Sequence, residues 1–282
     1  MNYSFVFFGS DQFSVIVLEE LIQNGFIPTL CITQPDRPKG RNLKKSPTIL
    51  KEFCIKNKIP FETPEKLKLS SLINSNYDLF IVASYGKIIP QTIIDIPKYG
   101  CLNVHPSILP KYRGASPVET AILEDTKETG VTIMLMDAQM DHGPIVKQKK
   151  YTFDKWPAHR DDVRNILAHI GGKLLSETIE PFIKGDIDYT EQNHTEATFT
   201  KIIQKEDGKI ELTDTDYKTY LKYLALTPWP GLFFFIEKNN SLIRIKVDSA
   251  HYDEEKGFVI DTVIPEGKKV MNWESFKNGY LK

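Results

Sequence analysis

The chain has 282 residues, 41% of them hydrophobic and 26% charged, which suits one large soluble domain or two smaller ones with a real core. Its 36 Lys and Arg against 37 Asp and Glu leave a formal net charge of −1, which excludes a protein that holds nucleic acid by bulk charge; any such contact has to be local. Three cysteines, Cys31, Cys54 and Cys101, without CxxC spacing exclude a disulfide framework and a zinc ribbon.

Residues 3–8 read as a buried strand, and the apolar run stops at Gly9-Ser10-Asp11 without a basic flank, so no signal peptide is expected. No apolar run reaches the about 20 residues that cross a bilayer, and a reducing cytoplasm is the expected setting, with Cys31 and Cys101 as buried thiols. Ser10 or Asp11 can cap a helix running to about residue 24, with Gly25 as its stop. Residues 27–33 give the next strand, so the chain opens with a βαβ unit and a parallel, Rossmann-like sheet. The turn Phe8-Gly-Ser-Asp-Gln-Phe13 holds one glycine where a dinucleotide fingerprint needs three, which argues against an NAD site.

Residues 34–48 carry Arg37, Lys39, Arg41, Lys44 and Lys45 against one acid, Asp36, and their prolines and Gly40 predict a loop outside helix or strand. Such a segment is either a solvated connection or a basic arm for a phosphate backbone. A helix is expected over 49–58 and a buried strand over 78–84. The loop after that strand, Tyr85-Gly86-Lys-Ile88-Ile-Pro90, makes a ligand wall if it ends at the same sheet edge as the next strand.

That next strand opens the stretch 100–117. Residues two apart in a strand share a face, so Asn103 and His105 point one way and Leu102 and Val104 the other, and Pro106 ends the ladder. An amide suited to a developing oxyanion and an imidazole able to act as acid, base or donor thus arrive together at a C-terminal strand end. A helix over about 116–124 and a strand over 130–136 follow, running into Asp137-Ala-Gln-Met-Asp141-His-Gly-Pro. Asp141, at the end of a neighbouring strand, can orient and charge His105; Asp137 and His142 compete for that role. An edge strand over 145–153 and a long helix over 161–184 complete the α/β part, Gly171-Gly172 marking a weak point or a close contact.

After Gly185 the texture changes. Residues 186–207 read as a linker or wrapping segment, and 208–282 as a small β-barrel of OB type with strands near 209–212, 232–236, 243–248 and 258–261 and one helix over 214–226. The expected organisation is a Rossmann-like domain over 1–185, the linker, and the barrel. The barrel part has no excess of basic residues, so RNA contact there would need a local patch such as Lys201, Lys205, Lys209, Arg244 and Lys246.

The run Asn103-Val-His-Pro-Ser-Ile-Leu-Pro-Lys-Tyr-Arg-Gly114, with Gly130-Val-Thr-Ile and 137–141, resembles the folate-dependent formyltransferases that use an Asn-His-Asp triad. Residues 33–41, 197–208 and Pro228-Trp-Pro-Gly231 resemble the branch that formylates initiator methionyl-tRNA. The resemblance implies a 10-formyltetrahydrofolate donor and the α-amino group of methionine on initiator tRNA as acceptor. It implies Asn103, His105 and Asp141 as the triad, and Ser107, Ile108, Leu109 and Pro110 as the folate-contacting loop, with Tyr85, Gly86 and Ile88 as its wall. Arg37, Lys39, Arg41, Lys44 and Lys45 become the tRNA-contacting loop, in a monomer with no metal and no membrane attachment. Three rival readings are an amino-sugar acceptor, hydrolysis of the formylated folate by water at the same triad, and an RNA-binding protein without catalysis.

Overall fold

The computed structural model describes residues 3–39, 44–67, 72, 76–238 and 240–281. Four apolar residues in a row suit a strand covered on both faces, and β1 (Phe5–Phe8) is buried throughout near the middle of a seven-stranded sheet. Asp11 caps helix α1 (Gln12–Gln23), its side chain accepting from Ser14 N, and the chain returns as β2 (Leu30–Ile32), parallel to β1.

The basic segment then departs from expectation. β3 (Arg37–Lys39) and β4 (Lys44–Ser46) pair antiparallel, Pro38 opposite Lys45, so this stretch is a hairpin in spite of its prolines. A two-stranded ribbon is all edge, and an edge tolerates a residue without an N–H. Thr48 caps α2 (Ile49–Asn57), after which β5 (Phe61–Glu62) pairs with β2. β6 (Leu79–Val82) lies beside β1, and β7 (Cys101–His105) beside β6, both parallel, with the short α3 (Gln91–Ile94) between them. Helix α4 (Pro117–Leu123) leads to β8 (Glu128–Leu135) and β9 (Ile145–Thr152), which pair antiparallel at the far edge. The order is β5-β2-β1-β6-β7-β8-β9.

One face of this sheet joins Val6, Phe8, Phe80, Val82, Tyr85 and Cys101 in a continuous core. On the other, helix α5 (Arg160–Lys184) passes so close to Val104 that a Cβ on Gly171 would sit 2.6 Å from Val104 Cγ1. Gly171 therefore marks a close contact. Asn103 falls on the first face, opposite Val82 in register, at the margin where the apolar surface gives out.

Contact density divides the chain into one unit of residues 1–117, 128–152 and 163–200, and another of 118–127, 153–162 and 201–282. In the second, Asp216 caps α6 (Tyr217–Leu226), which begins three residues later than expected. β10 (Phe233–Lys238), β11 (Ser241–Asp253), β12 (Gly257–Pro265) and β13 (Met271–Asn272) form an antiparallel sheet in that order, followed by α7 (Trp273–Tyr280). The strand expected near 209–212 is reduced to a single bridge from Lys209 to Phe233, because Asp214 takes the N–H of Glu211 into a local turn. The fold is α/β, a mostly parallel sheet followed by a small antiparallel domain. No described helix is long and apolar enough to cross a membrane.

Candidate functional site

β7 delivers its two polar side chains as alternation requires. His105 is buried, with Nε2 2.9 Å from the carbonyl of Tyr112. A carbonyl can only accept, so Nε2 carries a proton, and Nδ1 is left on the side of Asp141, 3.6 Å from Oδ1. The Asn103 amide nitrogen stands 3.4 Å from the same carboxylate oxygen. An amide nitrogen has two hydrogens, and the second has no partner among the described residues.

Asp141 does not get there from a strand end. β8 runs antiparallel to β7, pairing His105 with Thr132 and Leu102 with Leu135, so the chain leaves β8 at the start of β7, the wrong end. Residues 136–144 correct this by doubling back. Gly143 passes the carbonyl of Leu135 so tightly that a Cβ would lie 2.0 Å from its oxygen. Asp141 itself adopts a left-handed φ of 50°. Its second oxygen accepts the backbone N–H of Gly114 at 2.7 Å. Of the two competitors, Asp137 binds His142 Nδ1 at 2.6 Å, and the two form a pair of their own.

The loop after Pro106 is held from beneath. Buried Thr132 donates Oγ1–H to the Ser107 carbonyl at 2.7 Å and accepts from Leu109 N at 3.1 Å. Gln148 Nε2 reaches both Thr132 Oγ1 and the Leu109 carbonyl, each at 2.8 Å. Ser107 turns its hydroxyl to the Lys111 carbonyl, and Leu109 is buried, so these side chains fasten the loop; Ile108 and Pro110 keep partial exposure. The wall after β6 divides likewise. Tyr85 sends its ring into the core while its carbonyl accepts from Ser10 Oγ and Gln34 Nε2, Gly86 turns at φ 75°, and Ile88 is 85% exposed. Burial pushes the Tyr85 phenol up to about 12.

In the basic hairpin Arg37 and Lys45 are exposed, the backbones of Lys39 and Lys44 pair with each other, and Arg41 lies outside the described residues. Asp36 is taken up by Lys51 at 2.7 Å. A pocket of about 250 Å³ lies under the hairpin, lined by Ser10, Gln34, Arg37, Pro38, Ser46 and Thr48 among others.

Sequence reasoning missed Thr132, Gln148, Arg113 and Gln192. A threonine inside the apolar alternation of residues 130–136 was a usable signal, since a buried hydroxyl needs a partner. Gln192 lies in a stretch without periodicity and gave none.

The family model for formyl transferase matches residues 1–179, and the one for the formyl transferase C-terminal domain matches 202–259. The chain belongs to the formyl transferase family. A methionyl-tRNA formyltransferase of Dictyoglomus turgidum is 37% identical, the match covering 98% of this chain and 96% of that protein. Among solved structures, the methionyl-tRNA formyltransferase from Clostridium thermocellum shares the fold at a TM-score of 0.61 and 15% identity, covering 96% of this chain and 99% of the other. An N-formyltransferase from Helicobacter canadensis, solved with folinic acid and dTDP-3-aminofucose, shares it at 0.63 and 19%, covering 92% and 98%.

Proposed function

We propose that the chain transfers a formyl group from 10-formyltetrahydrofolate to the α-amino group of methionyl-tRNA. The observation that carries this reading is the meeting of the Asn103 amide, the His105 ring and the Asp141 carboxylate within 3.6 Å at the C-terminal end of β7. The amine nitrogen attacks the formyl carbon, and the carbonyl oxygen becomes an oxyanion that the Asn103 amide stabilises, with His105 Nδ1, the ring nitrogen not held by Tyr112, as second donor when it carries a proton. Asp141 takes the proton lost by the amine, directly or through water. Collapse of the intermediate breaks the bond from carbon to the folate nitrogen, which leaves with a proton, and the formamide remains on the amino acid.

The donor is a substrate, held by the backbone of residues 107–110 and by the wall at 85–88, where the exposed Ile88 can cover an aromatic ring system. Arg37 and Lys45, with Lys39, Arg41 and Lys44, meet the tRNA backbone. Residues 1–185 carry the triad, 208–282 a second contact with RNA, and 186–207 join the two, in a monomer acting in the cytoplasm. Sedimentation tests the monomer, and fractionation of cells the location.

Near full-length likeness to methionyl-tRNA formyltransferases favours a tRNA acceptor over the amino sugar of a protein that shares only the fold. The deciding assay supplies 10-formyltetrahydrofolate with charged initiator tRNA, charged elongator tRNA, or an amino sugar. Formylation of the initiator alone is the expected result. Turnover of the free amino sugar, or formate release without any acceptor, would replace the reading.

A further inference from the structure

Asp141 owes its position to its backbone, which sits in the left-handed region that a residue with a Cβ disfavours. Something must hold it there. The side chain of Gln192, almost completely buried, donates Nε2 to the Asp141 carbonyl at 2.9 Å and to the Gly143 carbonyl at 2.7 Å. One amide nitrogen thus ties together the two residues that flank His142. Its other end is fixed too, Oε1 accepting from Arg113 Nε at 3.1 Å and Nη2 at 2.6 Å.

Arg113 stands beside Gly114, whose N–H holds the Asp141 carboxylate, so backbone and side chain of the same aspartate are gripped from one short segment. Arg113 is itself buried, which pushes its pKa down, while the charges of Asp141 and Asp137 oppose that. Its Nη2 also meets His194 Nδ1 at 2.8 Å, and His194 stacks on His142 with ring centres 4.0 Å apart. The bracket is closed by backbone bonds from Arg113 N to Thr198 O and from Thr200 N to Arg113 O.

We propose that Gln192, aligned by Arg113, is a positioning residue for Asp141, and that residues 190–200 thereby belong to the catalytic machinery. The proposal rests on the reading of Asp141 given above. Gln192 touches no reacting atom; it sets where the carboxylate stands relative to Asn103 and His105. A displacement of about 1 Å in such a group can cost about a hundredfold in rate.

The test compares Gln192→Glu, and as a second variant Gln192→Met, in the parent and in Asp141→Asn. Gln192→Glu keeps the length and the acceptor for Arg113 but turns the nitrogen that ties the two carbonyls into an oxygen that repels them. Saturating kcat and KM for 10-formyltetrahydrofolate and charged tRNA are measured, with Tm beside them. The expected result is a kcat about tenfold to a hundredfold lower in the parent background, KM values within about twofold, and no further loss when Asp141 is already Asn. A kcat within about twofold of the parent in a folded variant overturns the proposal, as does an equal proportional loss in both backgrounds, which would mark Gln192 as purely structural. If Asp141→Asn itself turns over normally, the reading of the triad fails first and takes this one with it.

Discussion

Asn103 Nδ2 and Asp141 Oδ1 face each other at 3.4 Å across a strand pair whose register carries the chain away from that meeting point. The amide is therefore oriented before any substrate arrives, and an oriented donor needs no reorganisation when charge develops. Asn103→Ala removes it. Loss of one oxyanion donor costs about a hundredfold to a thousandfold in rate, and kcat should fall by that order while the folate dissociation constant changes little. Single-turnover kinetics with a folate binding titration decide it; near-normal kcat would remove Asn103 from the mechanism.

Thr132→Val is nearly the same size and strips the hydroxyl that holds Ser107 O and Leu109 N. Buried groups left unpaired cost about 1–3 kcal/mol. The variant should unfold at lower denaturant and raise KM for 10-formyltetrahydrofolate more than it lowers kcat. Unchanged KM would mean that the loop's path is immaterial to the donor.

Arg37→Ala with Lys45→Ala takes two exposed charges off the hairpin. Each phosphate contact contributes a slope of about −0.7 to −0.9 to the dependence of log K on log salt. The double variant should bind tRNA more weakly at low salt, with a shallower slope, and leave folate binding as it was. Equal slopes for variant and parent would show that these side chains do not meet phosphate.

Tyr85 buries a hydroxyl that has no hydrogen-bond partner among the described residues. Tyr85→Phe should raise stability by about 1 kcal/mol by removing that unmet group. The sign with pH follows from the raised pKa: the folded protein keeps the phenol neutral to about 12, while the unfolded chain ionises from about 10. Below 10 this ionisation costs the folded state nothing; as pH climbs from 10 towards 12 the unfolded chain alone gains the charge, and stability falls. Melting curves from pH 8 to 11 should show a shallower alkaline decline in the variant than in the parent.

The parallel centre was legible because Phe5–Phe8 and Leu79–Val82 are unbroken apolar runs, which only a doubly covered strand needs. Asn103 and His105 were legible because period-two alternation fixes a face whatever the partner. Asp141 could be named but its route could not: strand direction at β8 is a tertiary choice, and a carboxylate at a strand end was expected where a returning loop does the delivering. The pairing of Arg37–Lys39 with Lys44–Ser46 was missed because proline counts against a strand in a sheet interior and far less in a two-stranded ribbon. Gln192 was invisible, since a bond between residues 51 apart leaves no local pattern.

Residues 112–114 are bonded to a segment 86 positions downstream, through Tyr112 N to Thr198 Oγ1 and the backbone of Arg113. A chain emerging from the ribosome therefore exposes Asn103 and His105 long before it can close the ring around them. The bracket around residues 112–114 is finished late in synthesis, so a nascent chain that stalls near residue 185 already holds Asn103 and His105 but lacks the segment that bonds to the loop beside them.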